Sequence, residues 1–250
     1  MKTRVPAPAG YTLLQELGPR LARVADGDGA GRFLKRLTPR MRHEPLARTQ
    51  LATEAAILQH LPAHVGAPYV AHGDDDAGPW LLEGFLEGCD LQVLVERAGA
   101  LPEAGVRSIF ESATACLRLL HDSADSNGSL ELVHGDLSPG NVFVLPSGEV
   151  RLVDFELGSL RGLPRATDGA FRGTLQYASP AVVRGGAPTP ADDRFALAAC
   201  MLFALAGALP RPERGAQLLL ACGESAPTVP SLHDGELAQA LRIALGATPR

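Results

Sequence analysis

The sequence predicts an α+β fold of two lobes, in which an antiparallel sheet over about residues 1–86 precedes a mainly helical lobe over about residues 87–250. Short apolar runs bounded by turn residues dominate the first part of the chain, and helical periodicity dominates the second. The composition changes at Gly84–Gly88, a connector that marks a lobe boundary and is not a flexible linker. Because 46% of the 250 residues are hydrophobic, the chain can bury a substantial core, and we expect residues 1–250 to form a single domain.

Five apolar runs and one helical segment make up the predicted N-terminal lobe. The predicted strands are Tyr11–Leu17, Leu21–Ala25, Arg32–Leu37, Tyr69–Ala71 and Trp80–Leu82. Apolar residues at steps of three to five predict a helix over Leu46–Leu61, which Pro62 ends. We interpret Asp74–Asp76 as a solvated turn between the last two strands.

Helices dominate the second part of the chain. Leu91–Arg97 and Glu103–His121 have helical periodicity, and helical segments fill most of Ala191–Gly246. Within this last region, Phe195–Leu209 is a run of fifteen residues without a polar side chain. A helix that spans a membrane needs about 20 such residues. We therefore interpret the run as a buried core helix and expect no membrane segment.

Charge, cysteine content and composition narrow the function classes. The net charge of −5 argues against a nucleic-acid-binding protein, which needs clustered Lys and Arg. The four cysteines have no CxxC spacing, which favours reduced thiols in a cytoplasmic protein over disulfides or a zinc site. Met1–Gly10 has no apolar run and is not a signal peptide. The Ala, Gly, Arg and Pro content is typical of a GC-rich bacterial genome, and the end at Arg250 leaves open a longer protein or a partner domain.

Two carboxylates and an amide lie at or near the open end of a predicted hairpin. Val142–Leu145 and Val150–Val153 are strands joined by a turn, so that Asn141 and Asp154 come close together at the open end of the hairpin. Asp136 lies five residues before Asn141, in a loop that contains Pro and Gly. Asn141 and Asp154 supply oxygen ligands for a hard cation such as Mg²⁺, and Asp136 adds a third polar group beside them. Phosphoryl transfer requires positioned metal ions and a carboxylate beside the attacking hydroxyl.

The segments around these residues resemble the catalytic motifs of the protein-kinase superfamily. His-Gly-Asp-Leu-Ser-Pro-Gly-Asn at residues 134–141 resembles H-R-D-L-x-x-x-N, and Asp-Phe-Glu at residues 154–156 resembles D-F-G. The resemblance covers nearly the whole chain, because further motifs follow in the family's order. It implies a two-lobed protein-kinase-like fold that uses ATP and Mg²⁺.

The resemblance assigns candidate nucleotide-binding residues in the first lobe and the connector. Gly18 resembles the start of the glycine-rich loop. Lys35 resembles the lysine that contacts the α- and β-phosphates, and Glu54 resembles the helix residue that holds this lysine in place. Phe85 and Leu86 lie in the segment that resembles the hinge, where they would contact the nucleotide.

The resemblance also implies roles in the second lobe. Asp136 would orient the attacking hydroxyl or accept its proton, together with Lys35 and Asn141 as catalytic residues. Asn141 and Asp154 would hold Mg²⁺. Asp193 matches the aspartate that opens the buried helix of the second lobe.

Ser179 and Ala181 replace an alanine and a glutamate of the activation-loop motif, and four further departures from the family's pattern bear on the chemistry. Pro19–Arg23 stands where two more glycines usually occur. Gly135 replaces the arginine before the catalytic aspartate, which suggests activity without a phosphorylated activation loop. Ser138 replaces a lysine, so that charge in the transition state must be neutralised otherwise or less well. Glu156 replaces the glycine of D-F-G and removes a flexible position.

We expect an ATP-dependent phosphotransferase that acts on a Ser or Thr hydroxyl of a protein or peptide, as a bacterial eukaryotic-like serine/threonine kinase does. Gly173–Pro180 resembles the G-T-x-x-Y-x-A-P segment of the activation loop and favours this acceptor. The catalytic loop is also similar to that of lanthipeptide-synthetase kinase domains and of aminoglycoside and choline phosphotransferases. A small-molecule kinase therefore stays open, and so does a pseudokinase binding module, which Ser138 and the poor glycine-rich loop favour. Thr167 and Thr174 are candidate phosphorylation sites, and Thr174 is alternatively a hydrogen-bond partner of Asp136.

Overall fold

The structure is a computed structural model that describes residues 5–62, 64–164, 171–211 and 213–246. Five strands lie in the first part of the chain: β1 Thr12–Glu16, β2 Leu21–Ala25, β3 Gly31–Arg36, β4 Tyr69–Asp75 and β5 Gly78–Gly84. They form one antiparallel sheet in the spatial order β1-β2-β3-β5-β4. The predicted α+β class, with a sheet first and helices after it, is confirmed.

The two faces of this sheet bury different partners, because successive side chains of a strand point to opposite faces. One face covers a small cluster of Val5, Ala22, Val24, Leu34 and Leu82. The other face lies against helix α1, which runs over Pro45–His60 between β3 and β4. Lys35, next to Leu34 on β3, therefore faces α1 and meets Glu54 there.

Arg36 has a different partner from its neighbour Lys35. Its buried guanidinium donates to both carboxylate oxygens of Asp75, at 2.6 and 2.8 Å, and to the carbonyl of Gly78 at 2.8 Å. Residues 74–76 are exposed, as the interpretation as a solvated turn expects, but Asp75 is the last residue of β4 and is also the carboxylate partner of this buried cation. β4 and β5 also extend further into this turn than the apolar runs predicted.

The second part of the chain contains helices and short strands. The helices are α2 Leu91–Ala98, α3 Glu103–His121, α4 Pro180–Val183, α5 Pro190–Ala206, α6 Gly215–Glu224 and α7 Gly235–Ala244. The strands are β6 Cys89–Asp90, β7 Ala124–Asp125, β8 Gly128–Ser129, β9 Val142–Val144 and β10 Val150–Leu152. β9 pairs with both β10 and β6, so the chain joins the second lobe directly after the end of β5. The sequence did not predict β6, β7, β8 or α4, which are too short to show a periodicity.

Helix α5 is the buried helix that the apolar run predicted. Eleven of its residues are buried, from Asp193 to Ala204. A capping box between Thr189 and Asp192 begins the helix, and Gly207 ends it in the left-handed conformation at φ 65°. Among the residues that the structure describes, no helix combines the length and the apolar character that crossing a bilayer requires.

Asp193 connects α5 to the loop that contains residues 134–141. Its side chain is 2% exposed and accepts hydrogen bonds from the backbone N–H groups of His134 at 2.8 Å and Gly135 at 2.9 Å. His121, the last residue of α3, lies 2.9 Å from the same carboxylate through Nε2. One buried carboxylate thus fixes α3, α5 and the loop relative to one another. The imidazole and the two backbone N–H groups would otherwise lack this partner.

We predict that Asp193→Ala lowers the free energy of unfolding by about 2–4 kcal/mol, since it leaves two buried backbone donors without an acceptor. Urea denaturation followed by circular dichroism measures the change. Asp122→Ala is the matched control, because Asp122 is an exposed aspartate at the end of α3. A loss at Asp193 no greater than that of the control would contradict this role.

Candidate active site

The hairpin of β9 and β10 brings Asn141 and Asp154 together as the sequence predicts. Val142 pairs with Leu152, and the N–H of Val153 donates to the carbonyl of Asn141 at 3.1 Å. Asn141 ends a short 3₁₀ turn that begins at Pro139. Asp154 follows β10 with φ 67°, a left-handed conformation that is uncommon outside glycine and is found at functional sites. Two oxygen-bearing side chains therefore lie at the open end of one hairpin.

Lys35 reaches this place from the sheet of the other lobe. Its Nζ donates to Glu54 Oε2 at 2.7 Å, to Glu54 Oε1 at 2.8 Å and to Asp154 Oδ1 at 3.0 Å. Glu54 also accepts the N–H of Phe155 at 3.1 Å. β3, α1 and the segment after β10 thus meet at one buried ammonium group.

The charges around Lys35 decide its protonation. Burial by itself would lower the pKa of Lys35, but the carboxylates of Glu54, Asp154 and Glu156 raise it above its usual value. Burial raises the pKa of Glu54, and the positive charge of Lys35 opposes that rise. Partial burial also acts to raise the pKa of Asp154, yet Lys35 holds it below the usual range. Lys35 is therefore cationic at neutral pH.

Asp136 lies in the loop before the hairpin, and contacts fix both its backbone and its side chain. Asn141 Nδ2 donates to the carbonyl of Asp136 at 2.8 Å, and the N–H of Thr174 donates to Asp136 Oδ1 at 2.8 Å. The expected contact between Thr174 and Asp136 is confirmed. Burial raises the pKa of Asp136, and the hydrogen bond from Thr174 opposes this. Thr167 lies outside the described residues.

The backbone conformation of this loop explains why residue 135 is a glycine. Its φ is 80°, and a Cβ atom at this position would lie 2.4 Å from the carbonyl oxygen of Leu157. His134 beside it is buried, and its Nε2 lies 3.0 Å from the carbonyl of Val153. An arginine at position 135 would need a different path of the backbone.

A cavity of about 580 Å³ lies between the two lobes and ends at these charged groups. Phe85 and Leu86 line it, together with Lys35, Asn141 and Asp154. Gly18 itself is not among the lining residues, whereas its neighbours in the loop between β1 and β2 are. The cavity thus joins an apolar part at the connector to a polar part at Lys35.

Three lining residues escaped the sequence analysis as site residues. Glu83, at the end of β5, is 4% exposed, and no hydrogen bond to its side chain is found within the described parts of the chain. Arg20 extends from the loop between β1 and β2 to Glu156, with Nη2–Oε1 at 2.6 Å. The sequence did contain signals that could have identified them. Glu83 directly follows the apolar run 80–82, and Arg20 and Glu156 each replace a residue of the kinase motifs.

The polar end of the cavity has more negative than positive charge. Glu54, Asp154 and Glu156 lie close enough to share one ion, but the ammonium of Lys35 contacts all three and takes the central place. Asn141 and Asp154 form the donor set that fits Mg²⁺. The amide of Asn141 donates through Nδ2, which leaves its Oδ1 free, and 46% of the Asp154 side chain is exposed to the cavity.

Residues 173–180 form a second wall of the site, beside Asp136. Gly173 has φ 118°, and a Cβ atom there would lie 3.0 Å from Asp136 Oδ1. Arg211 is buried and donates to the carbonyls of Gln176 at 3.1 Å and Ser225 at 2.6 Å. The backbone of residues 173–180 is thus fixed against Asp136 at one end and against the helical lobe at the other.

Comparison with known proteins agrees with this geometry. Residues 33–225, well over half of the chain, match the family described as "Protein kinase domain". The chain is 29% identical over 168 residues to serine/threonine-protein kinases drp72 of Corynebacterium efficiens and 28% identical over 168 residues to serine/threonine-protein kinases PknA of Corynebacterium glutamicum. It is 27% identical over 165 residues to serine/threonine-protein kinase PknL of Mycobacterium tuberculosis.

The shared region is only a part of each relative. The alignments cover 66%, 66% and 65% of this chain, but 31%, 34% and 39% of the respective relatives. The chain therefore spans well under half the length of these curated relatives.

We predict that Gly135→Ala lowers the free energy of unfolding by about 2–4 kcal/mol, because the new methyl group collides with the carbonyl of Leu157. Gly148→Ala is the matched control: φ is 85° there, but nothing lies within 4 Å of its Cβ position. The control should lose only about 1 kcal/mol for the left-handed backbone. Equal losses in urea denaturation would show that the close approach at residue 135 is unimportant.

We predict that Glu83→Gln stabilises the protein in a pH-dependent manner. Burial raises the pKa of Glu83 from 4.5 to about 7, with Asp154 and Glu156 adding to the rise and Lys35 opposing it. A raised carboxyl pKa means that the folded protein binds the proton more tightly than the unfolded chain. Glu83 therefore lowers the stability of the wild type as the pH rises from 4.5 to 7, and this contribution is absent from the variant.

The difference in melting temperature between Glu83→Gln and wild type should be small at pH 4.5, grow up to pH 7 and stay constant above it. Its plateau corresponds to about 1–3 kcal/mol. Glu87→Gln, which changes an exposed glutamate of the same segment, is the control. A difference that does not change with pH would refute the buried, neutral state of Glu83.

Proposed function

Because the chain belongs to the protein kinase family, we propose that it transfers the γ-phosphate of Mg-ATP to a serine or threonine hydroxyl of a protein or peptide. The contacts of Lys35 carry this proposal. Its Nζ lies 2.7 Å from Glu54 and 3.0 Å from Asp154, so the sheet, helix α1 and the hairpin meet at this lysine, which supports a role in phosphate binding.

The cavity between the lobes is the proposed nucleotide site. Phe85 and Leu86 give an apolar surface for the base at the connector near residue 86, where the two lobes of the single domain would meet. Lys35 would bind the α- and β-phosphate oxygens, and Glu54 would hold it in place. The loop that begins at Gly18 would cover the phosphates from the side of the sheet.

Asp136 and Asn141 would act on the phosphate acceptor. The hydroxyl oxygen attacks the γ-phosphorus, the bond to the β,γ-bridging oxygen breaks, and ADP leaves with that oxygen. Asp136 takes the proton of the hydroxyl, a role that its raised pKa favours. The side-chain amide of Asn141 holds Asp136 in place by donating to the backbone carbonyl of Asp136. Mg²⁺ held by Asn141 and Asp154 would neutralise charge on the phosphates.

Two observations support a protein or peptide acceptor. The backbone of Thr174 contacts Asp136 directly, so the segment 173–180 borders the place where the hydroxyl must lie. The similar proteins from Corynebacterium and Mycobacterium are named serine/threonine-protein kinases. We also propose that this protein is bacterial and cytoplasmic, in accord with its four free cysteines. Acceptor proteins and any partner domain would come from this compartment.

We predict that Asp136→Asn lowers the rate of phosphate transfer by about 100- to 10,000-fold, because the amide cannot accept the proton. The assay is transfer of radiolabelled γ-phosphate to peptides that contain Ser or Thr, with Mg²⁺. Asp122→Asn, an exposed aspartate outside the cavity, should keep the wild-type rate. Melting curves check that both variants are folded.

Three outcomes would change the proposal. Binding of Mg-ATP without transfer to any acceptor would indicate a pseudokinase. Transfer to an aminoglycoside or to choline, but not to peptides, would overturn the acceptor class. A wild-type protein that shows neither transfer nor a thermal shift with Mg-ATP would rule out the enzyme altogether.

A further inference from the structure

Arg20 occupies a place where the kinase pattern has a small residue. It lies in the loop between β1 and β2, and its side chain crosses the mouth of the cavity to Glu156 on the opposite lobe. The contact between Nη2 and Oε1 is 2.6 Å, with 23% and 17% of the two side chains exposed. Both residues depart from the family's motifs, and the structure pairs them with each other.

The carboxylate oxygen of Glu156 lies between two cations. Oε1 is 2.6 Å from Arg20 Nη2 and 3.6 Å from Lys35 Nζ. Lys35 and Arg20 are the two cations among the described residues that line the cavity. An anionic oxygen is thus held between them, at the end of the cavity where the phosphates of a nucleotide would lie.

Arg20 also has unused hydrogen-bonding capacity. Its Nε is buried and has no hydrogen-bond partner in the described structure. A guanidinium group has several donors in one plane, which suits two oxygens of a phosphate group at once. Arg20 can therefore bind a phosphate with donors that Glu156 does not use.

The charge of the site favours a further cation beside the phosphates, in addition to the proposed Mg²⁺. Lys35 is already engaged by Glu54 and Asp154, and Ser138 is nearly buried and uncharged. A nucleoside triphosphate would bring further negative charge into a cavity whose lining is already acidic. Arg20 is the cation in the lining that a phosphate can recruit by replacing one carboxylate oxygen.

We propose that Arg20 binds the terminal phosphates of the nucleotide and that Glu156 holds its guanidinium over the site when no nucleotide is bound. On nucleotide binding, a phosphate oxygen takes the place of Glu156 Oε1 between Arg20 and Lys35. The loop between β1 and β2 thus contributes a side chain to phosphate binding, which compensates for its missing glycines and for Ser138. This inference rests on the proposed function.

The test compares the binding of Mg-ATP and adenosine by isothermal titration calorimetry. Arg20→Gln should weaken the binding of Mg-ATP by about 10- to 100-fold, the effect of a lost charge-assisted contact, and leave the binding of adenosine unchanged. Arg32→Gln is the matched control. Arg32 forms an ion pair of the same length, 2.6 Å, with Asp26, and it does not line the cavity.

Glu156→Gln separates phosphate binding from a merely structural ion pair. If Arg20 acts on phosphate, Glu156→Gln keeps or raises the affinity for Mg-ATP, and the double variant is as weak as Arg20→Gln. If the pair only fixes the loop, both single variants and the double variant lose the same affinity. Equal losses would overturn the inference, and so would tighter binding of Mg-ATP by Arg20→Gln, which would show that the arginine obstructs the site.

The wild-type protein separates this inference from the proposed function. Binding and transfer by the wild type, with no change in Arg20→Gln, would refute the role of Arg20 and leave the kinase proposal intact. If the wild type bound no Mg-ATP, both would fail.

Discussion

The position of the buried ammonium of Lys35 is the constraint on which the site depends. This cation is 8% exposed at its side chain and is surrounded by carboxylates from a helix and from the opposite lobe. Removing one partner from such a cluster leaves a buried charge without compensation, at a cost of several kcal/mol. The sheet, α1 and the hairpin of β9 and β10 must therefore keep their relative positions. The same contacts that hold Lys35 also place Asp154 beside the cavity.

A second buried charge, Asp193, fixes the other half of the site. It holds the backbone on the N-terminal side of Asp136, while Asn141 and Thr174 hold Asp136 from the C-terminal side. The side chain of Asp193 binds the backbone before Asp136, the side chain of Asn141 binds the carbonyl of Asp136, and the N–H of Thr174 binds its carboxylate. Gly135 follows from this arrangement, because the loop passes too close to Leu157 for any Cβ atom.

The departures from the kinase motifs are not independent of one another. Arg20 and Glu156 lie 136 residues apart in the chain and form one ion pair. Each alone weakens the resemblance, since one replaces a small residue of a loop and the other replaces the last glycine of D-F-G. Together they place a second cation near Lys35 at the polar end of the cavity. Carboxylates outnumber cations at this end of the cavity, and one of them, Glu83, is buried, which raises its pKa.

The sequence by itself determined the order and type of the long elements and the residues that local motifs carry. Periodicity predicted α1, α3 and the buried helix α5, and the hairpin spacing predicted that Asn141 and Asp154 come together, because these features depend on neighbours along the chain. Only the tertiary structure decided the partners of Asp75 and Arg20 and the burial of Glu83. Whether a charged side chain is solvated, buried or paired depends on segments distant in sequence, and one sequence contains no local signal for that contact.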